Sequence, residues 1–166
     1  SVVQNISAEG FIAASSGNFG QALACACQLS GVPCIIVMPT TSAQVKIDAV
    51  RSYKAEVVFV DTAVQTRADK VQEIARIHPD YHIASPYDCE LVITGNSSLG
   101  HEIHKHLSQP DLVLVPIGGG GLISGIAEAL EQNDNHVRLW GVEPAMADDA
   151  ARSLEVGERQ FNEGEP

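Results

Sequence analysis

The stretch VPIGGGGLISG, residues 115–125, sets four consecutive glycines directly behind an apolar run and ahead of a helix-like segment. Glycine lets a ligand approach the main chain closely and tolerates positive φ, but each one costs conformational entropy on folding. Between a strand and a helix, such a run aims backbone N–H groups and the positive end of the helix dipole at one spot, which favours a phosphate. It is not a Walker A loop, because Ile126 follows Gly125 where lysine is required, and no register of Gly118–Gly125 satisfies G-x-G-x-x-G. A tightly packed strand-to-helix turn is the plain alternative.

A second polar turn, ASSGNFGQ at residues 14–21, offers the hydroxyls of Ser15 and Ser16, the amide of Asn18, and accessible backbone at Gly17 and Gly20. Serine and asparagine also cap helices routinely, so this turn alone does not define a ligand site. Two such turns, both at carboxyl ends of parallel strands, point to one ligand site, because open α/β sheets bind at that edge.

Other constellations carry less. HEIHKH, residues 101–106, lacks the i, i+4 histidine pair of zincins, since Lys105 stands four positions after His101, and it reads as a solvated helix face. No G-x-S-x-G elbow occurs. Cys25, Cys27, Cys34 and Cys89 show neither CxxC nor zinc-finger spacing and read as buried free thiols.

The elements that must hold these turns alternate. Short β-branched runs predict strands at Gly10–Ala14, Cys34–Met38, Glu56–Val60, Asp111–Pro116 and Val137–Val142, with a weak one at Tyr81–Ala84. Apolar residues three or four apart predict helices over Asn18–Ser30, Ala43–Tyr53, Ala63–His78, Ser97–Leu107 and Leu122–Gln132. The expectation is an α/β protein: a parallel sheet with helices on both faces, built as a complete small lobe plus an incomplete large lobe. The proline-bearing stretch Ser85–Glu90 divides a small lobe, residues 10–88, from a partial large lobe, residues 89–166, that carries the glycine-rich cup.

Ten basic against twenty-one acidic residues give a net charge of −11, which argues against nucleic acid and anionic membranes and requires a local cradle for any anionic ligand. No apolar run reaches the roughly 20 residues of a membrane span, so the chain reads as soluble and cytoplasmic.

Five segments in order carry a family resemblance: AASSGNFGQALACACQLSGVPCIIVMP, KIDAVRSYKAEVVFVD, ASPYDCELVITGNSSLGHEI, VPIGGGGLISGI and WGVEPAMADDAARSL. Together they resemble pyridoxal-phosphate (PLP) enzymes of the tryptophan-synthase-β fold type (fold type II), best the threonine/serine dehydratases and serine racemases. The resemblance implies that Asn18 hydrogen-bonds the cofactor's phenolic oxygen, and that Ser16 lies beside the reacting carbon as a catalytic proton donor or acceptor. It implies that Gly118, Gly119, Gly120, Gly121 and Leu122 wrap the phosphate through backbone amides. Phe19 departs from the histidine common in dehydratases, which puts any polar role there in doubt. EPAMADD resembles the branch's divalent-cation site, implying carboxylate oxygens from Glu143 and Asp149 and the carbonyl of Ala147. Such oxygen ligands, with water, suit Mg²⁺, Mn²⁺ or Ca²⁺.

PLP chemistry needs a lysine amine, and Lys46, Lys54, Lys70 and Lys105 match no such motif. The family places that lysine further upstream of the SSGN turn than the fifteen residues before Ser16, and its later strands beyond Pro166. The expectation is therefore a chain truncated at both ends. One reading is a dehydratase-like ammonia-lyase acting by β-elimination on a small hydroxy-amino acid, inactive as the isolated chain for want of the lysine. The other is a non-catalytic phosphate-ligand-binding or assembly module, a fragment or split-protein part. Either version is expected to form a homo-oligomer or to associate through its incomplete sheet.

Overall fold

The structure, a computed structural model, describes residues 2–87, 89–107, 110–133 and 136–162. Asp88, where the expected lobe boundary falls, and residues 163–166 of the polar tail lie outside the described residues. Two compact units make up the chain, Ser1–Pro86 and Tyr87–Pro166.

In the first unit, α1 (Val2–Asn5) precedes β1 (Gly10–Ala14), α2 (Asn18–Ser30), β2 (Cys34–Pro39), α3 (Gln44–Ser52), β3 (Glu56–Val60), α4 (Arg67–Ile77) and β4 (Tyr81–Ile83). The four strands form one parallel sheet in the order β3-β2-β1-β4. Side chains alternate across a strand, so β1 and β2, central and covered on both sides, must be apolar at every position. Phe11, Ala13, Cys34, Ile36 and Met38 face α2 and α3 through Leu23, Ala24, Cys27, Ile47 and Val50. Ile12, Ile35 and Val37 face α4 through Val71 and Ile74. Helices therefore cover both faces, as the strand-helix alternation predicts.

The second unit runs α5 (Glu90–His106), β5 (Leu112–Pro116), α6 (Gly121–Gln132), β6 (Arg138–Val142) and α7 (Asp149–Val156). Its two strands are parallel, with Leu114 opposite Trp140 and Pro116 opposite Val142. Val113, Val115 and Leu139 pack with Ile126 and Leu130 of α6. On the other face Leu114, Trp140 and Val142 remain 60%, 56% and 48% exposed. Removing such apolar surface from water is worth roughly 25 cal/mol per Å², so this face gains free energy from any cover.

Helices α5 and α6 approach closely because each places a glycine at the contact: a Cβ on Gly125 would lie 2.4 Å from the Ile93 carbonyl oxygen, and one on Gly100 would lie 2.6 Å from Ala129 Cβ. No helix among the described residues is long and apolar enough to cross a membrane.

Candidate functional site

The polar turn of the first unit begins where the sheet ends. Ser15 N–H still donates to the Val37 carbonyl at 3.1 Å, extending the β1–β2 ladder by one step, and α2 starts three residues later. The Ser15 side chain turns inward. Its Oγ accepts from Gly20 N–H at 3.0 Å and from Gly17 N–H at 3.3 Å, satisfying donors of the first turn of α2. Gly20 is glycine because a Cβ would come within 3.0 Å of the Ser15 carbonyl oxygen. Ser15, one of the ligand donors weighed from the sequence, thus uses its hydroxyl as a cap, whereas Ser16 is half-buried and Asn18 is exposed. Phe19 packs against the apolar cluster under α2. An aromatic ring suits that contact, and it accounts for a residue that departs from the dehydratase pattern.

In the second unit Ile117 N–H donates to the Val142 carbonyl at 2.9 Å, so the glycine run starts immediately past the sheet edge. Gly120 occupies the N-cap position of α6 at φ +85°, a conformation that costs an L-residue roughly 1–2 kcal/mol. Gly120 itself has no side chain with which to cap the helix. A Cβ at Gly118 or Gly120 would meet nothing within 4 Å, leaving open space in front of this backbone. Gly119 is tighter, because the Tyr87 ring lies where its Cβ would be. Asn96 of α5 donates its side-chain amide to the Gly121 carbonyl at 3.1 Å and so fixes the loop to the neighbouring helix. Leu122 sends its side chain into the core around Ile126. A helix start built on glycine backbone with open space before it fits an anionic phosphate.

Gly118 and Gly119 share a cavity of about 560 Å³ with Ala147 and Asp149, so the fold joins the glycine run to part of the acidic loop. Pro144, Arg159 and Phe161 also line it. The Arg159 guanidinium lies 4.9 Å from the Phe161 ring centroid. Asp149 opens α7 and accepts from the Asn162 amide at 2.7 Å. Glu143 is committed elsewhere: its two carboxylate oxygens accept from Ala150 N–H at 3.1 Å and Ala151 N–H at 2.9 Å, in the first turn of α7. Asp148 pairs with Arg152 at 2.8 Å, and that hydrogen bond holds its carboxyl below the ordinary aspartate value. Among the described residues no group of three or more His, Cys, Asp or Glu side chains could hold a metal. A cation at this loop would therefore rest on two carboxylates, a carbonyl and water.

Of the four lysines, Lys105 lies in the unit that carries the glycine run and Lys46, Lys54 and Lys70 lie in the other. Lys105 is nine residues beyond Asn96 on α5, roughly 13 Å along the helix axis. Lys70 pairs with Glu73 at 2.7 Å, and Lys46 and Lys54 are exposed in and just after α3. His101, on the α5 face expected to be solvated, is exposed and lies 3.3 Å from the Asn133 side-chain amide.

The family model for pyridoxal-phosphate dependent enzymes matches residues 2–165. The chain belongs to that family. Within it, the chain falls in the fold type II branch of threonine/serine dehydratases and serine racemases. It is 39% identical over 154 residues to the L-threonine ammonia-lyase of Geobacter sulfurreducens, covering 90% of this chain and 37% of that protein. It is 33% identical over 152 residues to the serine racemase of Oryza sativa subsp. indica, covering 90% of this chain and 44% of that one. The structure of the processed form of threonine deaminase isoform 2 from Solanum lycopersicum superposes with a TM-score of 0.82 at 35% identity, over 95% of this chain and 44% of that one. The chain thus spans less than half the length of each of these relatives.

Tyr87 and Asn96, which shape the glycine loop, escaped the sequence reading. Asn96 carries a weak signal, an amide inside an otherwise helical stretch, whereas Tyr87 carries none before the fold is known.

Proposed function

We propose that this chain contributes the phosphate cup and the ring-contacting turn of a PLP-dependent ammonia-lyase of the threonine/serine dehydratase type. The observation that carries the reading is the glycine-built N-terminus of α6, with Gly120 at positive φ and open space before Gly118 and Gly120. In this reading the backbone amides of Gly118–Leu122 bind the phosphate. Asn18 donates to the phenolic oxygen, and Ser16 Oγ holds or gives a proton at the reacting carbon. Bound PLP supplies an electron sink that makes the α-proton of a hydroxy-amino acid removable and its β-hydroxyl eliminable. The amine that anchors the cofactor is not among Lys46, Lys54, Lys70 and Lys105, so turnover requires a lysine from outside these residues. Glu143, Asp149 and the Ala147 carbonyl would hold a divalent cation beside the cup, in competition with the role of Glu143 at the start of α7.

Calorimetric titration with PLP, pyridoxal and inorganic phosphate tests the cup. PLP binding that pyridoxal does not reproduce, that phosphate competes away, and that Gly120→Ala weakens while the fold is retained supports the proposal. Equal affinity for PLP and pyridoxal would refute it. In parallel, the isolated chain is expected to release no ammonia from L-threonine or L-serine, and release would overturn the assignment of the lysine.

A second reading, an assembly module, is favoured by the open face of the β5–β6 sheet, where Leu114, Trp140 and Val142 lie exposed side by side. Contiguous apolar surface of this kind drives association. Sedimentation that stays monomeric across concentration would remove this reading.

A further inference from the structure

Two cysteines that the PLP chemistry does not use meet at the far end of α2. The helix ends on Gly31 at φ +70°, whose N–H donates to the Gln28 carbonyl at 3.2 Å, while Val32 N–H returns to the Cys27 carbonyl at 3.1 Å. This tight closure brings Cys34, the first residue of β2, back toward Cys27, and the two share one apolar cluster and line one cavity. Both point into the layer between the sheet and α2, and they are only 1% and 7% exposed. They are nonetheless reachable, because a cavity of about 330 Å³ that opens to solvent is lined by Cys27 and Cys34 together with Val32, Pro33, Tyr53 and Lys54. Its lining carries one cationic side chain and no carboxylate. Cys25, two positions earlier on α2, points roughly 200° away around the helix and does not line the cavity.

We propose that Cys27 and Cys34 form an oxidisable dithiol, a modification site for small hydroperoxides at the α2–β2 turn. Cys27, which lines the cavity together with Lys54, is taken as the attacking sulfur, in keeping with the direction in which its interaction with Cys34 lowers its thiol while that interaction and burial push the Cys34 thiol up. The Cys27 thiolate attacks the O–O bond of hydrogen peroxide, forming a sulfenic acid and releasing hydroxide, which takes up the Cys27 proton as water. Cys34 then attacks that sulfur, a disulfide forms, and the sulfenic oxygen leaves with the Cys34 proton as a second water. Two thiols and one peroxide give one disulfide and two waters, with sulfur oxidised and peroxide oxygen reduced. The product cross-links α2, which begins at the SSGN turn, to the strand beside it.

The test uses the native chain and one equivalent of hydrogen peroxide, followed by alkylation of free thiols and digestion without reductant. Residues 1–46 contain no tryptic site before Lys46, so chymotrypsin, cutting after Leu29, is needed to part Cys27 from Cys34. The expected product is a Cys27 peptide joined to a Cys34 peptide, two hydrogens lighter than their sum and separated by dithiothreitol, on a chain that still runs as a monomer in a non-reducing gel. In Cys34→Ser, oxidised Cys27 should instead be trapped by dimedone. Preferential oxidation of Cys25 or Cys89, full alkylation of Cys27 and Cys34 after peroxide, or a link between two chains would each overturn the proposal.

Discussion

Replacing Gly125 by alanine should loosen the α5–α6 pair and with it the glycine loop that α6 carries. The new Cβ would lie 2.4 Å from the Ile93 carbonyl oxygen, 2.7 Å from Asn96 Cβ and 2.8 Å from the Asn96 carbonyl carbon. Two of these three are backbone atoms, so relief means moving a helix by about 1 Å rather than rotating a side chain, and overpacking of this kind costs about 1–3 kcal/mol. Alanine returns roughly 1 kcal/mol of helix propensity over glycine. With backbone on two sides the cost sits at the upper end, and the net loss is about 2 kcal/mol. Gly95→Ala is the matched control, since that glycine is also inside α5 but has nothing within 4 Å of its Cβ position, and it should stabilise by about 0.5–1 kcal/mol. Trp140, the one tryptophan of the chain, lies on β6 in the same unit and reports its urea-induced unfolding, with circular dichroism alongside. The expected gap between the two variants is about 3 kcal/mol. Because Asn96 also binds the Gly121 carbonyl, Gly125→Ala should weaken PLP affinity as well. A Gly125→Ala chain as stable as the parent would show that the helices do not depend on this close approach.

Ser15→Ala should cost about 1–2 kcal/mol in chemical denaturation followed by circular dichroism, because it removes the acceptor for the Gly17 and Gly20 N–H groups, and an unchanged midpoint would count against the capping role. Glu143→Gln should cost about 1 kcal/mol whether or not Mg²⁺ is present if the carboxylate serves only α7. If it also holds a cation, Mg²⁺ at a hundred times its Kd should stabilise the parent by about 2.7 kcal/mol and the variant by much less. Asp148 and Glu73 are held below the ordinary carboxylate value, first by hydrogen bonds to Arg152 and Lys70. Each contributes stability that is present above the unfolded carboxylate pKa and lost as pH falls through the lower folded one. Both are exposed, so the slope between pH 5 and 2, around the ordinary value of about 4, should be shallow and flattened further by 0.5 M salt. Asp148→Asn should remove its share at every pH above that window, and a steep salt-insensitive transition would contradict the assignment.

Strand and helix signals were readable where local chemistry and tertiary demand agree. β1, β3 and α2 have the expected bounds: β1 opens on Gly10, α2 lies between Gly17 and Gly31, and the β-branched run of β3 stops at the polar Asp61. α4 starts at Arg67 rather than Ala63, since Thr66 Oγ1 accepts from Asp69 N–H and ends the preceding turn with a cap. α5 starts at Glu90 rather than Ser97. Its first two turns hold Val92, Ile93, Thr94, Gly95 and Asn96, poor helix formers by themselves, and contact with α6 overrides that preference. α7, which the sequence reading did not assign, spans only eight residues, and Glu143, six residues upstream, engages its first N–H groups.

The same distinction separates what was legible in the site from what was not. Gly118–Gly121 stand out because backbone chemistry is written directly in residue type: four residues without Cβ after a strand leave few structures to choose from. Ser15 and Ser16 are identical in sequence terms, and only the close approach of Gly20 decides which hydroxyl turns inward as a cap. Glu143 illustrates the harder case. Its carboxylate could answer either a cation or the positive end of a helix, and both partners favour the same negative charge, so residue type cannot choose between them. The geometry here joins it to α7 through two N–H donors, which leaves the cation to compete for lone pairs already in use. A carboxylate has about four such sites, so the two roles are compatible only if the cation approaches from the side that Ala150 and Ala151 leave open.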